Sequence, residues 1–145
     1  MYNIPQKELY QKIDENLSTL GLSEFKNKRL ETFSGGMKRR INLIAGILHN
    51  PKILFLDEPT VGVDVQSKNV IINYLKEIHQ KGTTIIYTSH HLREAEDLCS
   101  MIAIMDMGKV IATGSPTELI DRTKNVNDLE GVFLSLTGKN LRDYV

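Results

Sequence analysis

The sequence predicts a layered α/β fold, and two observations lead to that prediction. Short β-rich runs alternate with longer segments whose apolar residues recur every three or four positions, which is typical of α/β proteins. The run at residues 53–56 is apolar at every position, which is typical of a parallel strand buried on both faces. The chain has 145 residues, of which 41% are hydrophobic and 25% charged, enough apolar material for the core of one domain.

Two helices are predicted before the first strand. The first spans residues 6–20, where Pro5 favours its start and Gly21 its end. Its apolar stripe consists of Leu9, Ile13, Leu17 and Leu20. The second is capped by Ser34 and stops at Asn50, because the residue before a proline avoids the helical conformation. The basic residues 38–40 near its start are expected to be solvated and to keep one face of the helix wet.

Strands and helices alternate over the rest of the chain. The predicted strands are 53–56, 83–89, 101–106 and 110–113, and the predicted helices are 64–80 and 92–98. Met107 and Gly108 form a turn that pairs the last two strands. Ser115, Pro116 and Glu118 have the spacing of a capping box with proline at the first helical position, so another helix begins there.

The composition excludes several classes of protein. Lys and Arg number 18, as do Asp and Glu, so the net charge is zero and bulk attraction to nucleic acid is not indicated. The single cysteine, Cys99, excludes an internal disulfide and fits a cytoplasmic setting. No apolar run approaches the ~18 residues of a membrane span, and the polar N-terminus is not typical of a signal peptide.

Two carboxylates, Asp57 and Glu58, follow the first apolar run directly. Ligands of open α/β sheets bind beyond the carboxyl ends of the strands, where a carboxylate can hold Mg²⁺ or polarise a water molecule. An apolar run that ends in Asp-Glu is common, however, and is also compatible with the start of a polar loop. His90 follows the next predicted strand and is expected at the same edge of the sheet.

Four motifs, taken together and in order, resemble the ATP-binding cassette (ABC) ATPases. FSGGM at 33–37 resembles the signature loop, usually LSGGQ, and ILFLDE at 53–58 resembles the Walker B strand. VGVD at 61–64 is similar to the D-loop, and TSH at 88–90 to the switch histidine. The stretch from 91 to 116 also resembles the family. Phe33, Met37 and the tail at 128–138 are similar to its drug- and lipid-export branch.

The resemblance implies a partial P-loop NTPase core, with ATP and Mg²⁺ as cofactors. Asp57 would bind the metal, Glu58 would orient the attacking water, and His90 would contact the γ-phosphate. Ser34, Gly35 and Gly36 would bind the γ-phosphate of ATP held by the opposite subunit of a head-to-tail dimer, and Asp64 would link the two sites. A helix N-terminus attracts anions and glycine permits close approach of the backbone, so the signature residues suit this role. Replacement of Gly36 by aspartate is expected to disturb the dimer and to leave the fold largely intact.

The same resemblance predicts the organisation of the chain and its partners. Residues 1–50 would form part of the helical subdomain with the signature helix, 51–114 the C-terminal part of the ATPase core, and 115–145 a C-terminal helical tail. The partners would be a second nucleotide-binding domain and a membrane-spanning permease, which would hold the protein at the cytoplasmic side of the membrane. No nucleic acid partner is expected.

Three features of the family are not recognisable in these 145 residues. The loop GxxxxGK[ST], which cradles the phosphates of ATP, does not occur, and neither the Q-loop nor the adenine-stacking aromatic is recognisable. We therefore interpret the chain as the C-terminal portion of a nucleotide-binding domain, inactive by itself, in which the strand at 53–56 is at risk of lacking a neighbour.

The leading interpretation of the function is the ATP-hydrolysing subunit of an ABC exporter. The alternative is a non-catalytic fragment that pairs with an intact cassette, and a third, an unrelated hydrolase using Asp57 and His90, lacks a nucleophile.

Overall fold

A computed structural model of the chain describes residues 4–138. The helices are α1 (Gln6–Thr19), α2 (Gly35–Ile47), α3 (Val65–Gln80), α4 (Leu92–Leu98), α5 (Pro116–Arg122) and α6 (Leu129–Thr137). The strands are β1 (Ile53–Asp57), β2 (Thr84–Thr88), β3 (Ile102–Asp106) and β4 (Lys109–Gly114). Two short 3₁₀ turns, Ser23–Phe25 and Leu30–Thr32, connect α1 to α2. The contacts divide the chain into two units, the first ending at Thr88 and the second beginning at Ser89.

The first unit is built on a parallel βαβ arrangement. β1 and β2 pair in parallel, with Ile53 opposite Thr84 and Asp57 opposite Thr88, and α3 connects them. The predicted α/β fold is confirmed, and β1 has a neighbour after all. The division of the chain into 1–50, 51–114 and 115–145 stays a prediction.

The core of the first unit lies among α1, α2, α3 and one face of β1. Its buried side chains are Leu17, Leu20, Leu22, Phe33, Leu43, Ile44, Ile47, Leu54, Ile71, Tyr74, Leu75 and Ile78. Leu17 and Leu20 belong to the predicted apolar stripe of α1, whose other members, Leu9 and Ile13, are half-buried. One polar contact joins α1 to α3, because the Tyr74 hydroxyl donates a hydrogen bond to the side-chain oxygen of Asn16. Burial, and then the charge of Glu77, raise the pKa of Tyr74 to about 12.

The two faces of β1 differ, and here the predicted burial on both faces is wrong. Leu54 is 8% exposed and points toward α2, where a Cβ atom on Gly46 would lie 3.9 Å from its Cδ1. On the opposite face, Ile53 is 54% and Phe55 72% exposed, and Ile86 of β2 is 44% exposed. The helices of the first unit pack against the Leu54 face, so within residues 4–88 no second layer covers the other face. The apolar side chains of Ile53 and Phe55 therefore lie on a face of β1 that residues 4–88 leave exposed.

The second unit consists of an antiparallel hairpin and three helices. β3 pairs with β4 around the predicted turn, with an irregularity in the register between Ile104 and Met105. Its core cluster comprises Ile104, Leu119, Leu129 and Val132. The start of α6 is fixed to α4, since the Leu129 amide donates to the Glu96 carboxylate at 3.1 Å. Among the residues that the structure describes, no helix is long and apolar enough to cross a membrane.

Candidate functional site

Asp57 lies at the carboxyl end of β1, as the sequence predicts, and its side chain is exposed. The hydroxyl of Thr88, its partner across the ladder, donates a hydrogen bond to its carboxylate and so orients it. No group of three His, Cys, Asp or Glu side chains that could hold a metal ion occurs within residues 4–138. A single oriented carboxylate nevertheless suits Mg²⁺, which commonly takes one or two carboxylates and completes its shell with phosphate oxygens and water.

Glu58 adopts a backbone conformation that non-glycine residues rarely adopt, with φ of 45°. Such a conformation costs about 1–3 kcal/mol and persists where the surroundings determine it. Three hydrogen bonds do so here. The Glu58 amide donates to the Thr88 carbonyl at 3.1 Å, and the Glu58 carbonyl accepts from the Val61 amide at 3.3 Å and from Arg39 Nη2 at 2.7 Å. The backbone of Glu58 is therefore fixed on both sides of its Cα atom.

The predicted cap of α2 is confirmed. Ser34 has an extended backbone, and its Oγ accepts a hydrogen bond from the Met37 amide at 3.2 Å. No acidic residue lies in the first turn, which starts with two glycines. The first amides of a helix lack partners within the helix, and the helix dipole makes this end attractive to anions. Ser34 can still donate its hydroxyl hydrogen while Oγ accepts, so the residues fit a phosphate group.

The two glycines at this helix start have different surroundings. Gly36 is buried, and a Cβ atom there would lie 2.7 Å from Ser67 Oγ and 3.2 Å from Asp64 Oδ2. Gly35 is exposed, and its nearest neighbour would be the Gly62 carbonyl at 3.9 Å. The expectation that aspartate at position 36 would leave the fold intact is therefore wrong, because that side chain would collide with Ser67 and face a second carboxylate.

Asp64 caps α3 in the same way as Ser34 caps α2. Its Oδ1 accepts a hydrogen bond from the Ser67 amide at 2.9 Å, and the hydrogen bonds from the Ser67 amide and hydroxyl lower the pKa of the Asp64 carboxyl. Because Gly36 packs against this cap, the structure brings the signature residues together with the segment 62–64. The cap gives Asp64 a structural role, and its role in linking two nucleotide sites stays a prediction.

Sequence reasoning missed two arginines of α2. Arg39 and Arg40 are half-buried rather than solvated, and each donates to a distant backbone carbonyl at 2.7 Å: Arg39 to Glu58 and Arg40 to Leu20. The helical period could have predicted their burial. Both arginines lie three or four residues from buried Gly36 and from buried Leu43, and so on the same face of α2. Charged residues inside a buried stripe indicate specific partners rather than solvation.

His90 belongs to the second unit, two residues beyond the end of β2. Its ring centroid lies 4.2 Å from that of His91, whose amide donates to Ser89 Oγ at 2.9 Å. Its role at a nucleotide site stays a prediction. His79 makes a contact of 3.1 Å between Nδ1 and the Thr83 carbonyl at the end of α3.

Comparisons with known proteins agree on one family. The family described as ABC transporter matches residues 3–61. The linearmycin resistance ATP-binding protein LnrL of Bacillus subtilis is 47% identical over 122 residues, which are 84% of this chain and 39% of LnrL. The daunorubicin/doxorubicin resistance ATP-binding protein DrrA of Streptomyces peucetius is 41% identical over 105 residues, which are 72% of this chain and 32% of DrrA.

A solved structure of the ATP-binding subunit of an ABC transporter has the same fold, with a TM-score of 0.83 at 24% identity. The alignment covers 94% of this chain and 57% of that subunit. The chain thus spans less than two thirds of each of these proteins, and the shared part includes the βαβ arrangement described above.

Proposed function

We propose that this chain, which belongs to the ABC transporter ATP-binding family, contributes to two ATP sites of a paired transporter ATPase. One observation carries the proposal. Within the first unit, the carboxylates at the end of β1 and the open N-terminus of α2 are both tied to the loop that runs from Glu58 to Asp64. The loop 58–64 thus connects the residues that we propose hydrolyse ATP with those that we propose bind a second phosphate.

At the first site, Asp57 would hold Mg²⁺ and Glu58 would orient the attacking water and accept its proton. The exposed, oriented carboxylate of Asp57 supports the first role. The fixed backbone of Glu58 supports the second, because a general base must be held at a defined distance from the water. Bound Mg²⁺ would neutralise charge on the phosphates of ATP. By family resemblance, His90 would contact the γ-phosphate.

At the second site, Ser34, Gly35 and Gly36 would bind the γ-phosphate of ATP held by a second nucleotide-binding domain. The capped but uncharged start of α2 supports this role. Asp64 would link the two sites, because its cap of α3 packs against Gly36.

The names of the relatives suggest the wider process. LnrL and DrrA are both named as resistance proteins with an ATP-binding role. We propose that this chain likewise serves an exporter, with a second nucleotide-binding domain and a membrane-spanning permease as partners and a cytoplasmic, peripheral location. The net charge of zero supports attachment through a protein partner rather than through bulk attraction to lipid.

A second candidate function rests on a sequence feature. The 145 residues contain no GxxxxGK[ST] loop, so they offer few groups for the α- and β-phosphates. As an isolated polypeptide, this chain would bind Mg-ATP weakly. In that form it would act as a non-catalytic partner that presents its signature loop to an intact cassette.

The experiment uses a chimaera of LnrL in which this sequence replaces the segment that it matches. Glu58→Gln keeps the shape of the side chain and removes the charge that accepts the proton. We expect hydrolysis to fall by about 10²–10⁴-fold while ATP binding, measured by calorimetry, persists. Glu24→Gln, at an exposed position, is the matched control and should change neither quantity. Near-normal hydrolysis by Glu58→Gln would contradict the proposal.

A second measurement uses the isolated 145-residue chain and tests its affinity for Mg-ATP by calorimetry. Low-micromolar binding would contradict the weak affinity expected above.

A further inference from the structure

We propose that Arg39 is a positioning residue for Glu58: its guanidinium holds the Glu58 carbonyl and thereby fixes the direction of the Glu58 carboxylate. The inference rests on the proposed function of Glu58 and adds a residue that the four motifs do not include. The hydrogen bond from Arg39 Nη2 to the backbone carbonyl oxygen of Glu58 is 2.7 Å long and joins residues 19 positions apart. Hydrogen bonds from a charged donor are stronger than those between neutral groups.

The backbone at Glu58 shows why such a bond is needed. With φ of 45°, this residue lies in the left-handed region, where an L-amino acid with a long side chain is unfavourable. If the bond were lost, rotation about the N–Cα bond of Glu58 could return φ to an ordinary value. That rotation moves Cβ together with the carbonyl group, so it would turn the carboxylate away from its present direction. A second hydrogen bond to this carbonyl, from the Val61 amide, is longer at 3.3 Å.

The location of Arg39 supports a specific role. Its side chain lines a cavity of about 250 Å³ between α2 and β1, together with Leu43, Leu54 and Asp57. Arg39 is half-buried there, and the Glu58 carbonyl accepts a hydrogen bond from its guanidinium. Arg39 also lies one helical turn after Gly35, so the same helix start that would meet a phosphate holds the loop of the catalytic carboxylate.

Arg40 offers a matched control. It too is half-buried on α2 and donates to a backbone carbonyl at 2.7 Å, but its partner is Leu20 in the segment after α1. Arg39→Met and Arg40→Met therefore each remove a bond of 2.7 Å to a distant carbonyl, and only the first of these bonds involves Glu58. Arg40→Met also removes a longer bond, of 3.4 Å, from Nε to the Gly36 carbonyl within α2. A purely structural role predicts that the two variants lower stability and hydrolysis in parallel.

The test measures ATP hydrolysis and unfolding of the chimaera. We expect Arg39→Met to lower kcat by about a hundredfold with KM for ATP little changed, since a displacement of about 1 Å of a catalytic group has that effect. Arg39→Lys keeps a charged donor and should restore part of the loss. In the Glu58→Gln background, Arg39→Met should have no further effect on kcat, because the group that it positions is already disabled. In the isolated chain, the backbone NMR signals of Glu58 should shift with Arg39→Met and not with Arg40→Met.

The outcomes separate the inference from the function on which it rests. If Glu58→Gln abolishes hydrolysis but Arg39→Met behaves like Arg40→Met, the positioning role is wrong and the function stands. An equal loss from Arg39→Met in both backgrounds would also overturn the positioning role. If Glu58→Gln hydrolyses normally, the proposed function fails, and the role of Arg39 fails with it.

Discussion

Within residues 4–138, two helices begin with a serine cap, and their first turns are completed differently. At α5, Ser115 Oγ accepts from the Glu118 amide at 3.2 Å, and the Glu118 carboxylate accepts from the Ser115 amide at 2.9 Å. At α2, Ser34 Oγ likewise accepts from the third amide at 3.2 Å, but the residue there is Met37, which supplies no carboxylate. The start of α5 is closed by its own side chains, whereas the start of α2 is left open.

The first two helical residues after the serine also differ, and again those of α5 favour the helix start more than those of α2 do. α5 has Pro116, whose fixed φ favours a helix start, whereas α2 has two glycines, which lose more backbone freedom on folding than other residues do. Packing explains Gly36, because Ser67 leaves no room for a Cβ atom. Packing does not explain Gly35, which is exposed, has room and does not have a positive φ. A helix start that gives up local stability without a packing reason is what a ligand contact would require.

The largest effect that this comparison predicts is at Gly35. Gly35→Asp places a negative charge where the γ-phosphate of the partner's ATP would bind. Two unit charges about 4 Å apart near a protein surface repel by about 4 kcal/mol, or roughly a thousandfold in affinity. We expect ATP-dependent dimerisation of the chimaera, measured by analytical ultracentrifugation, to be lost, while the free energy of unfolding is unchanged or higher, since replacing glycine restricts the unfolded chain.

Gly35→Asn is the control for Gly35→Asp, because it has the same shape without the charge, and it should dimerise better. Thr117→Asp places an acidic residue in the first turn of α5 and should leave dimerisation unaffected. Equal losses from the Asp and Asn variants of Gly35 would show that space, not charge, is what matters there. Intact dimerisation of both would remove α2 from the phosphate site.

A smaller effect is expected at Met37, where the open cap can be closed. Met37→Gln and Met37→Glu both supply an oxygen that can accept from the Ser34 amide, so both should raise the free energy of unfolding by about 0.5 kcal/mol. Only Met37→Glu adds a charge. We expect it to weaken ATP-dependent dimerisation by about fivefold, which corresponds to about 1 kcal/mol at a helix N-terminus, and Met37→Gln to leave it unchanged.

Chemical denaturation and ultracentrifugation of the two Met37 variants decide the matter. If both variants dimerise like the parent, the open cap of α2 serves something other than an anion. If both fail, the side chain of Met37 itself has a role in the contact.

The comparison also shows what the sequence could and could not predict. The capping box of α5 and the Ser34 cap were predictable, because each depends on residues three positions apart. The collision at Gly36 was not, because Ser67 lies 31 positions further along the chain. The bond between Arg39 and Glu58 spans 19 positions and was hidden for the same reason. The motif strings placed Asp57 and Glu58 correctly at a strand end, but they contain no information on the left-handed backbone of Glu58.

The exposed face of β1 illustrates a different limit. Ile53 and Phe55 are both apolar, and that pattern predicted that both faces of β1 would be buried. A pattern reports which residues are suited to burial, whereas the structure reports which of them are buried. Where the two disagree, the apolar face is the part of the first unit that residues 4–88 leave without a layer.

The smallest predicted effect is a pH dependence confined to the closed cap. The hydrogen bonds from the Ser115 amide and hydroxyl, and then the charge of Arg122, lower the pKa of the Glu118 carboxyl. A carboxyl whose pKa is lower in the folded state binds its proton more readily when unfolded. The contribution of this carboxylate to the free energy of unfolding is therefore fully present above the unfolded pKa, near 4.5, and is lost as pH falls through the lower folded pKa.

The amide side chain introduced by Glu118→Gln can accept the same bond without titrating, so the stability advantage of the parent over this variant should shrink on acidification. Denaturation of both proteins between pH 6 and pH 3, with amide exchange of α5 as the local readout, measures this; Asp64, whose pKa is also lowered, titrates in both and cancels. A difference that stays constant with pH would show that the Glu118 charge does not stabilise this helix start.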